Sequence, residues 1–218
     1  MRTVKVTGKG QIKLRPDMTV IFISLEGMYP EYSDALASSG KDTQVLREVL
    51  EPIGFARTDL KTLSFDVDTE YESSNIDGVY RQKFIGYRYR HSMKVEFPSD
   101  NDRLGKVLYA LANCSLKPEF RISYIVSDRE KAKNMMLEKA VADAAQKAEM
   151  LTKAAGVALK DIQSIDYSWG EISFEAMPMN RALKSAEFRY KAKASLDLDI
   201  EPDDIEASDT VTVIWEIA

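Results

Sequence analysis

Apolar and polar residues alternate along much of the chain, which is the pattern of β-strands that bury one face. The first run places these residues on its apolar side: Val4, Val6, Gly8, Gly10, Ile12 and Leu14. Further strands are predicted at about 18–25, 63–71, 80–97, 120–126, 162–169, 188–200 and 211–217. The two glycines on the apolar side of the first strand predict that another element crosses it at short distance.

A helical repeat replaces this alternation between Ser127 and Ala155. Ser127 is a suitable N-cap, Glu130 completes a capping box and Gly156 can end the helix, so we predict one long alanine-rich helix at about 128–155. Its predicted buried face contains the apolar residues that recur at spacings of four and three: Leu137, Val141, Ala144, Ala148, Leu151 and Ala155. Two shorter helices are predicted at about 33–53 and 102–113.

The predicted elements occur in the order ββαββ-αβαβββ. Hairpins outnumber long crossover connections, which predicts an α+β fold of mainly antiparallel sheets with helices packed on them. The 218 residues are expected to form a single domain, 1–218. Two lobes would meet near Pro98, although no linker rich in Pro, Gly or Ser marks that junction as flexible.

Charge and the rarest residue types exclude several classes of protein. The chain has 30 basic and 35 acidic residues and a net charge of −5, which argues against a general nucleic-acid binder. Cys114 and His91 are the single cysteine and histidine, so neither a disulfide within the chain nor a metal site rich in these residues is expected.

The compartment is predicted from the N-terminus and from the length of the apolar runs. No apolar run approaches the length of a membrane span. The N-terminus reads as a strand rather than as a signal peptide, which predicts a cytoplasmic protein. If a leader has been removed, the expected location is periplasmic or exported.

The stretch from Tyr80 to Phe97 interleaves basic and aromatic residues, a combination that can stack bases and bind phosphates. Its alternation favours a different interpretation, an amphipathic strand whose solvated face carries Arg88, Arg90 and Lys94. Nucleic acid is therefore disfavoured as a partner. His91 falls on the apolar face, where a hydrogen-bonded core histidine is a more frequent finding than a base or a ligand.

No motif in the chain indicates a reaction. Gly8 and Gly10 are not followed by the third glycine of a dinucleotide-binding turn, and no phosphate-binding loop or nucleophile elbow is present. The acidic pairs Asp66/Asp68 and Asp197/Asp199 are interpreted as solvated strand faces. We predict no catalytic residue, cofactor or metal, and a protein that is not an enzyme. The alternative is a small-ligand or enzyme site assembled from distant polar residues.

Residues 170–187 lack a clean period and contain large apolar side chains besides Ile172, namely Phe174, Met177, Met179 and Leu183. Loops carry function more often than cores do, and methionine suits adaptable contacts. We predict that these four residues form an interface with a neighbouring subunit, with Phe174 and Met177 as anchors. The other interpretation is a loop folded over its own core.

Several loose motifs, taken in their order, resemble those of one family. They are Val6-Thr7-Gly8-Lys9-Gly10, Arg15-Pro16-Asp17, Gly54 with Asp59-Leu60-Lys61-Thr62, Gly86-Tyr87-Arg88, Lys147-Ala148-Glu149, Ala155-Gly156 and the closing run from Ile205 to Val213. In these positions, over nearly its whole length, the chain resembles the SIMPL-domain family, also called domain of unknown function 541. That family includes bacterial periplasmic immunogenic and oxidative-stress-associated proteins and a mammalian adaptor that binds a receptor-associated kinase.

The resemblance implies an α+β fold and, as in some bacterial members, a large ring-like homo-oligomer. The resemblance assigns no catalytic role to any residue of this chain. Together with the missing reaction motifs, it predicts a non-enzymatic, self-associating interaction or scaffold protein, with a link to stress response as a further expectation.

Overall fold

The computed structural model describes residues 2–76, 79–167, 175–176 and 200–218. The strands are β1 Arg2–Leu14, β2 Met18–Tyr29, β3 Lys61–Ile76, β4 Val79–Pro98, β5 Glu119–Ile125, β6 Leu159–Asp166, β7 Glu175–Ala176 and β8 Ile205–Ile217. The helices are α1 Tyr32–Leu50, α2 Asn101–Ala112 and α3 Arg129–Ala155, with a 3₁₀ turn at Glu51–Ile53. This order confirms the predicted α+β fold, while the strand predicted at 188–200 lies outside the described residues.

Contacts within the chain divide it into two compact units. The first comprises Met1–Asp17, Ile125–Ala176 and Pro202–Ala218, and the second comprises Met18–Tyr124 and Met177–Glu201. The predicted junction near Pro98 lies inside the second unit.

In the first unit, α3 packs on a sheet with the strand order β1-β8-β6. β8 pairs antiparallel with both β1 and β6. A Cβ atom added at Gly8 would lie 2.5 Å from Ala144 N, and one added at Gly10 would lie 2.8 Å from Met136 C. These distances are too short for any side chain, so the predicted close crossing of the first strand is confirmed.

The buried face of α3 differs from the predicted one. It contains residues at a strict spacing of four: Ala132, Met136, Ala140, Ala144, Ala148 and Thr152. Leu151, which was predicted to be buried, is 53% exposed. Ala155 is exposed, and Leu137 and Val141 are only half-buried. Small side chains lie against the glycine strand because larger ones would hold the helix away from it.

The start of α3 also differs from the prediction. Asp128 is the N-cap, and its Oδ1 accepts a hydrogen bond from Lys131 N at 2.8 Å. Ser127 instead binds Asp17, with its amide donating to Oδ1 at 2.7 Å and its hydroxyl to Oδ2 at 2.6 Å. Gly156 ends the helix in the left-handed conformation at φ 69°, as predicted.

In the second unit, β3, β4, β2 and β5 lie side by side in that order. β4 pairs antiparallel with both β2 and β3. Helices α1 and α2 cover one face of this sheet and bury a core of large side chains: Ile21, Ile23, Leu25, Leu46, Leu50, Tyr89, Met93, Val95, Phe97, Leu104, Val107, Leu108 and Leu111. The other face carries the alternate, mostly polar residues of the same strands.

Candidate interaction surface

The hairpin of β3 and β4 continues beyond the strand beside it. β2 pairs with β4 only as far as Tyr29↔Tyr87, whereas β3 stays paired with β4 from Glu70↔Gly86 to Ile76↔Val79. We call residues 70–76 and 79–86 the hairpin arm. At roughly 3.3 Å per residue the arm spans about 20 Å. Within the described part of the chain, neither strand of the arm has a second neighbour.

A β-bulge marks the base of the arm. Glu70 pairs with Gly86 but Tyr71 pairs with Phe84, so Ile85 is an extra residue in β4. Gly86 has φ 147°, a conformation that side chains rarely adopt, and a Cβ atom there would lie 2.5 Å from Tyr29 O. Glycine is therefore required where the backbone of the arm leaves the sheet.

The bulge brings aromatic side chains of the arm into one row. Tyr71 and Phe84 meet edge to face with ring centroids 5.8 Å apart, and Phe84 meets Tyr87 in the same manner at 5.2 Å. Tyr32, in the first turn of α1, continues the row with its ring 5.5 Å from that of Tyr87. We call these four residues the aromatic row.

The aromatic row is open to solvent along most of its length. Tyr71 is 51% exposed, Tyr32 49% and Phe84 43%. Edge-to-face rings stabilise one another by about 0.5–1.5 kcal/mol per pair, which holds the row in place while its outer surface stays in water. A contiguous exposed apolar surface of this kind is typical of a binding site.

Arg88, Arg90 and Lys94 of β4 lie on the opposite face of the sheet and are paired with carboxylates. Arg90 Nη1 lies 2.7 Å from Asp68 Oδ2, and Arg88 Nε lies 2.8 Å from Glu70 Oε1. Arg88 also lies 3.7 Å from Glu26, and Lys94 pairs with Glu96. Because each of these cations already has a carboxylate beside it, they leave no net basic strip for a phosphate backbone.

His91 is a core residue of the second unit. The hydroxyl of Thr43 donates to Ser39 O at 2.8 Å, so its oxygen is free to accept from His91 Nδ1 at 3.1 Å. The hydroxyl of Thr62 lies 2.8 Å from Nε2 and donates to it. Burial, together with the nearby charge of Arg47, holds the pKa of His91 below its ordinary value. Both ring nitrogens are thus satisfied by a neutral imidazole.

Tyr89 lies beside His91 in the same core and is 1% exposed. Its hydroxyl donates to Asp42 Oδ2. Burial raises the pKa of Tyr89 above its ordinary value, and the carboxylate of Asp42 raises it further. The phenol therefore stays protonated as a donor, which suits a structural contact rather than a catalytic base.

The other candidate residues form no reactive centre within the described part of the chain. Cys114 is a buried thiol, as expected for a small apolar residue. Asp68 pairs with Arg90, Asp66 is solvent-exposed, and Asp197/Asp199 lie outside the described residues. Over the described ranges, no three His, Cys, Asp or Glu side chains come close enough together to hold a metal ion.

The interface predicted from the unpatterned loop lies outside the described residues. Its members are Phe174, Met177, Met179 and Leu183. Alternation alone does not reveal the aromatic row, because in one continuous strand it places Ile85 rather than Phe84 on the face of Tyr87, and the bulge at Ile85 brings Phe84 onto that face. Strand length carried a signal. The predicted strand at 80–97 is much longer than the strand predicted at 18–25, so if the two pair, part of the longer strand extends beyond the shorter one.

None of the helices in the described ranges has the length and apolar character that a membrane span requires.

Comparison with known proteins gives relatives of the same approximate length. Two curated relatives, from Brucella abortus (strain S19) and Brucella melitensis biotype 1, are both named 26 kDa periplasmic immunogenic protein. The chain is 24% and 23% identical to them over 217 residues, which cover 98% of this chain and 84% of each relative.

A solved structure, an uncharacterized conserved protein from Listeria innocua, aligns over 97% of this chain and 92% of its own at 11% identity. Its TM-score of 0.20 is too low to support an argument about fold. Residues 4–215 match the SIMPL family, described as "Protein of unknown function (DUF541)". Because this match spans nearly the whole sequence, the chain belongs to the SIMPL family, as its motifs predicted.

Proposed function

We propose that this chain is a non-enzymatic interaction protein that associates with copies of itself through the aromatic row of the hairpin arm. One observation carries the proposal: Tyr32, Tyr71, Phe84 and Tyr87 form a continuous row of rings, three of them about half-exposed, which runs from the start of α1 onto the two-stranded arm.

Burial of the row would supply the free energy of association. Fully burying a large apolar side chain contributes roughly 1.5–3 kcal/mol, and the exposed parts of three rings contribute a fraction of that each. Isolated two-stranded hairpins are only marginally stable in water. The arm has no neighbour on either edge among the described residues, so a partner that covers it would also stabilise it.

A second copy of this chain is the partner that the remaining features favour. The charged face behind the arm is balanced, since Arg88 and Arg90 are paired with Glu70 and Asp68. Two such faces do not repel one another by net charge. The family resemblance adds support, because some bacterial members form ring-like homo-oligomers.

The non-enzymatic part of the proposal rests on the chemistry of the core. His91 is held as a neutral hydrogen-bonded residue, and Tyr89 is a protonated donor to Asp42. The link to stress response rests on the family resemblance alone. For location, the names of the Brucella relatives favour the periplasm over the predicted cytoplasm, and fractionation of the native host decides between the two.

The test of self-association is the mass in solution, measured by light scattering over a wide range of concentration. We expect an oligomer for the wild-type chain and a monomer for the double variant Tyr71→Glu/Phe84→Glu. The matched control is Met150→Glu/Leu151→Glu, which places the same charge at equally exposed apolar positions of α3. We expect the control to keep the wild-type mass.

Two results would overturn the proposal. A wild-type chain that stays monomeric at every concentration removes self-association itself. If the arm variant keeps the oligomer mass while the variant Phe174→Asp/Met177→Asp loses it, the interface is the loop predicted from the sequence and not the arm. Circular dichroism on each variant shows that a change in mass is not a loss of fold.

A further inference from the structure

A small cavity lies in the second unit between the last turns of α1 and the loop that follows the 3₁₀ turn. Its volume is about 220 Å³. At roughly 30 Å³ per water molecule it has room for about seven waters or for a small organic molecule. Three largely buried apolar residues, Leu50, Phe55 and Leu60, line it.

Two arginines of this cavity have no carboxylate partner. Arg47 and Arg57 both line it, and neither lies within ion-pair distance of an Asp or Glu among the described residues. The Nε atom of Arg47 is buried and makes no hydrogen bond with any described residue. A buried donor without an acceptor costs about 1–3 kcal/mol, and the oxygen of a bound anion would remove that cost.

The wall of the cavity is held in place before any ligand binds. The guanidinium of Arg103 lies 4.2 Å above the Phe55 ring, and its Nη2 donates to Gly54 O at 3.2 Å. Asp59 Oδ2 accepts a hydrogen bond from Ala56 N at 2.8 Å. These contacts fix the loop around Phe55, so little ordering free energy would be lost on binding.

The acidic residues of the cavity restrict the charge of its ligand. Glu48 and Glu51 also line it, and Glu48 Oε1 accepts from Gln44 Nε2 at 3.0 Å. Two carboxylates in the same lining as two guanidinium groups disfavour a multiply charged anion such as phosphate. An anion of single charge with an apolar body matches both the arginines and the apolar lining.

We propose that this cavity binds a small monocarboxylic acid, with its carboxylate on Arg47 and Arg57 and its apolar part against Leu50, Phe55 and Leu60. Arginine suits this role because its planar fork matches the two oxygens of a carboxylate. The proposal does not depend on self-association, since none of these residues belongs to the aromatic row.

The experiment titrates the full chain with phenylacetate as the probe and measures binding by calorimetry at low ionic strength and near neutral pH. We expect saturable binding with a dissociation constant in roughly the millimolar range. Phenylacetamide has the same shape without the charge, and inorganic phosphate has charge without an apolar body. We expect both to bind at least about tenfold more weakly than phenylacetate, a difference of about 1.4 kcal/mol.

Variants locate the binding in this cavity. Arg57→Gln and Arg47→Lys should each weaken phenylacetate binding about tenfold, the second because an ammonium lacks the fork. Arg57 is exposed, so its replacement should not disturb the fold. Arg121→Gln is the matched control, since this guanidinium lies 4.6 Å above the Phe22 ring and has no carboxylate partner in the described ranges. It should bind phenylacetate as the wild type does.

Any of three results would overturn the proposal. The first is no saturable binding of phenylacetate up to tens of times the expected dissociation constant. The second is equal binding of phenylacetamide or phosphate, which would remove the role of the single charge. The third is an equal loss of affinity in Arg121→Gln and in the two cavity variants, which would show nonspecific attraction to basic residues.

Discussion

The two units pack helices on sheets in opposite ways. In the first unit, α3 lies on β1 through alanines against Gly8 and Gly10, so that backbone nearly meets backbone. In the second unit, α1 and α2 lie on β2 and β4 through large branched and aromatic side chains, such as Leu46 against a core that includes Ile23 and Val95.

The difference shows that close packing can be reached with the smallest side chains or with large ones. The first contact has no room for an added methyl group, because the atoms facing the glycines are helix backbone atoms and the Cβ of Ala144, none of which can rotate away. The second depends on the volume and apolar area of its side chains, so it is sensitive to removal rather than to addition. Substitutions that add volume should therefore destabilise the first unit, and substitutions that remove volume should destabilise the second.

The largest effect is expected from removing volume in the second unit. Leu46 is fully buried, so Leu46→Ala leaves a cavity and should lower the free energy of unfolding by about 4 kcal/mol. Leu36→Ala on the same helix is the control, since Leu36 is 40% exposed and should cost less than about 1 kcal/mol. Denaturant unfolding measures both, and equal losses would show that this core does not depend on side-chain volume.

Adding one methyl group in the first unit should cost nearly as much. Gly10→Ala places a Cβ atom 2.8 Å from Met136 C and should lower the free energy of unfolding by about 3 kcal/mol, because α3 must move away from β1. Gly40→Ala in α1 is the matched control. A Cβ atom there meets nothing within 4 Å, so helix propensity alone should stabilise the protein by up to about 1 kcal/mol. A Gly10→Ala protein as stable as the wild type would contradict the close contact.

The sequence predicted a close crossing of β1 and a helix rich in alanine, but it predicted neither that the two meet nor which face of the helix lies inward. Glycines on the apolar side of β1 and the alanine-rich helix were both visible as patterns. The predicted buried face was centred on Leu137, Val141 and Leu151 because these residues are more apolar than alanine. Which helix face lies inward is decided by the partner strand, and two glycines select the smallest side chains rather than the most apolar ones.

A smaller effect is expected from the hydrogen bond between Tyr89 and Asp42 in the core of the second unit. Tyr89→Phe removes the hydroxyl that donates to Asp42 and leaves that carboxylate without its buried donor. We expect a loss of about 2 kcal/mol in the free energy of unfolding. Tyr32→Phe is the control, because Tyr32 is half-exposed and should change stability little. Equal stability of Tyr89→Phe and the wild type would show that the hydroxyl contributes nothing.

The candidate surface was harder to predict than the core, for a physical reason. Alternation shows which face of a strand is apolar, but the coverage of that face depends on where neighbouring strands end. β2 ends at Tyr29, and the bulge at Ile85 puts Phe84 on the same face as Tyr87, so the rings at the end of the row stay open to water. The role of His91, in contrast, followed from its place on the apolar face and was predicted correctly.

The smallest effect is expected at His91 and depends on pH. Its pKa is lowered in the folded chain by burial and by Arg47. The unfolded chain has a histidine pKa of about 6.5, so it takes up a proton on acidification before the folded chain does. The contribution of the neutral imidazole is therefore complete above about pH 6.5 and is lost as the pH falls toward the folded pKa.

His91→Gln should remove this pH dependence, because glutamine does not titrate. Gln can retain one of the contacts to Thr43 and Thr62, so we expect the variant to be less stable than the wild type by about 1 kcal/mol near pH 7.5. The difference should shrink as the pH falls toward about 5, since only the wild type loses stability through this group. A constant difference across that range would mean that the imidazole of His91 is not held neutral by its surroundings.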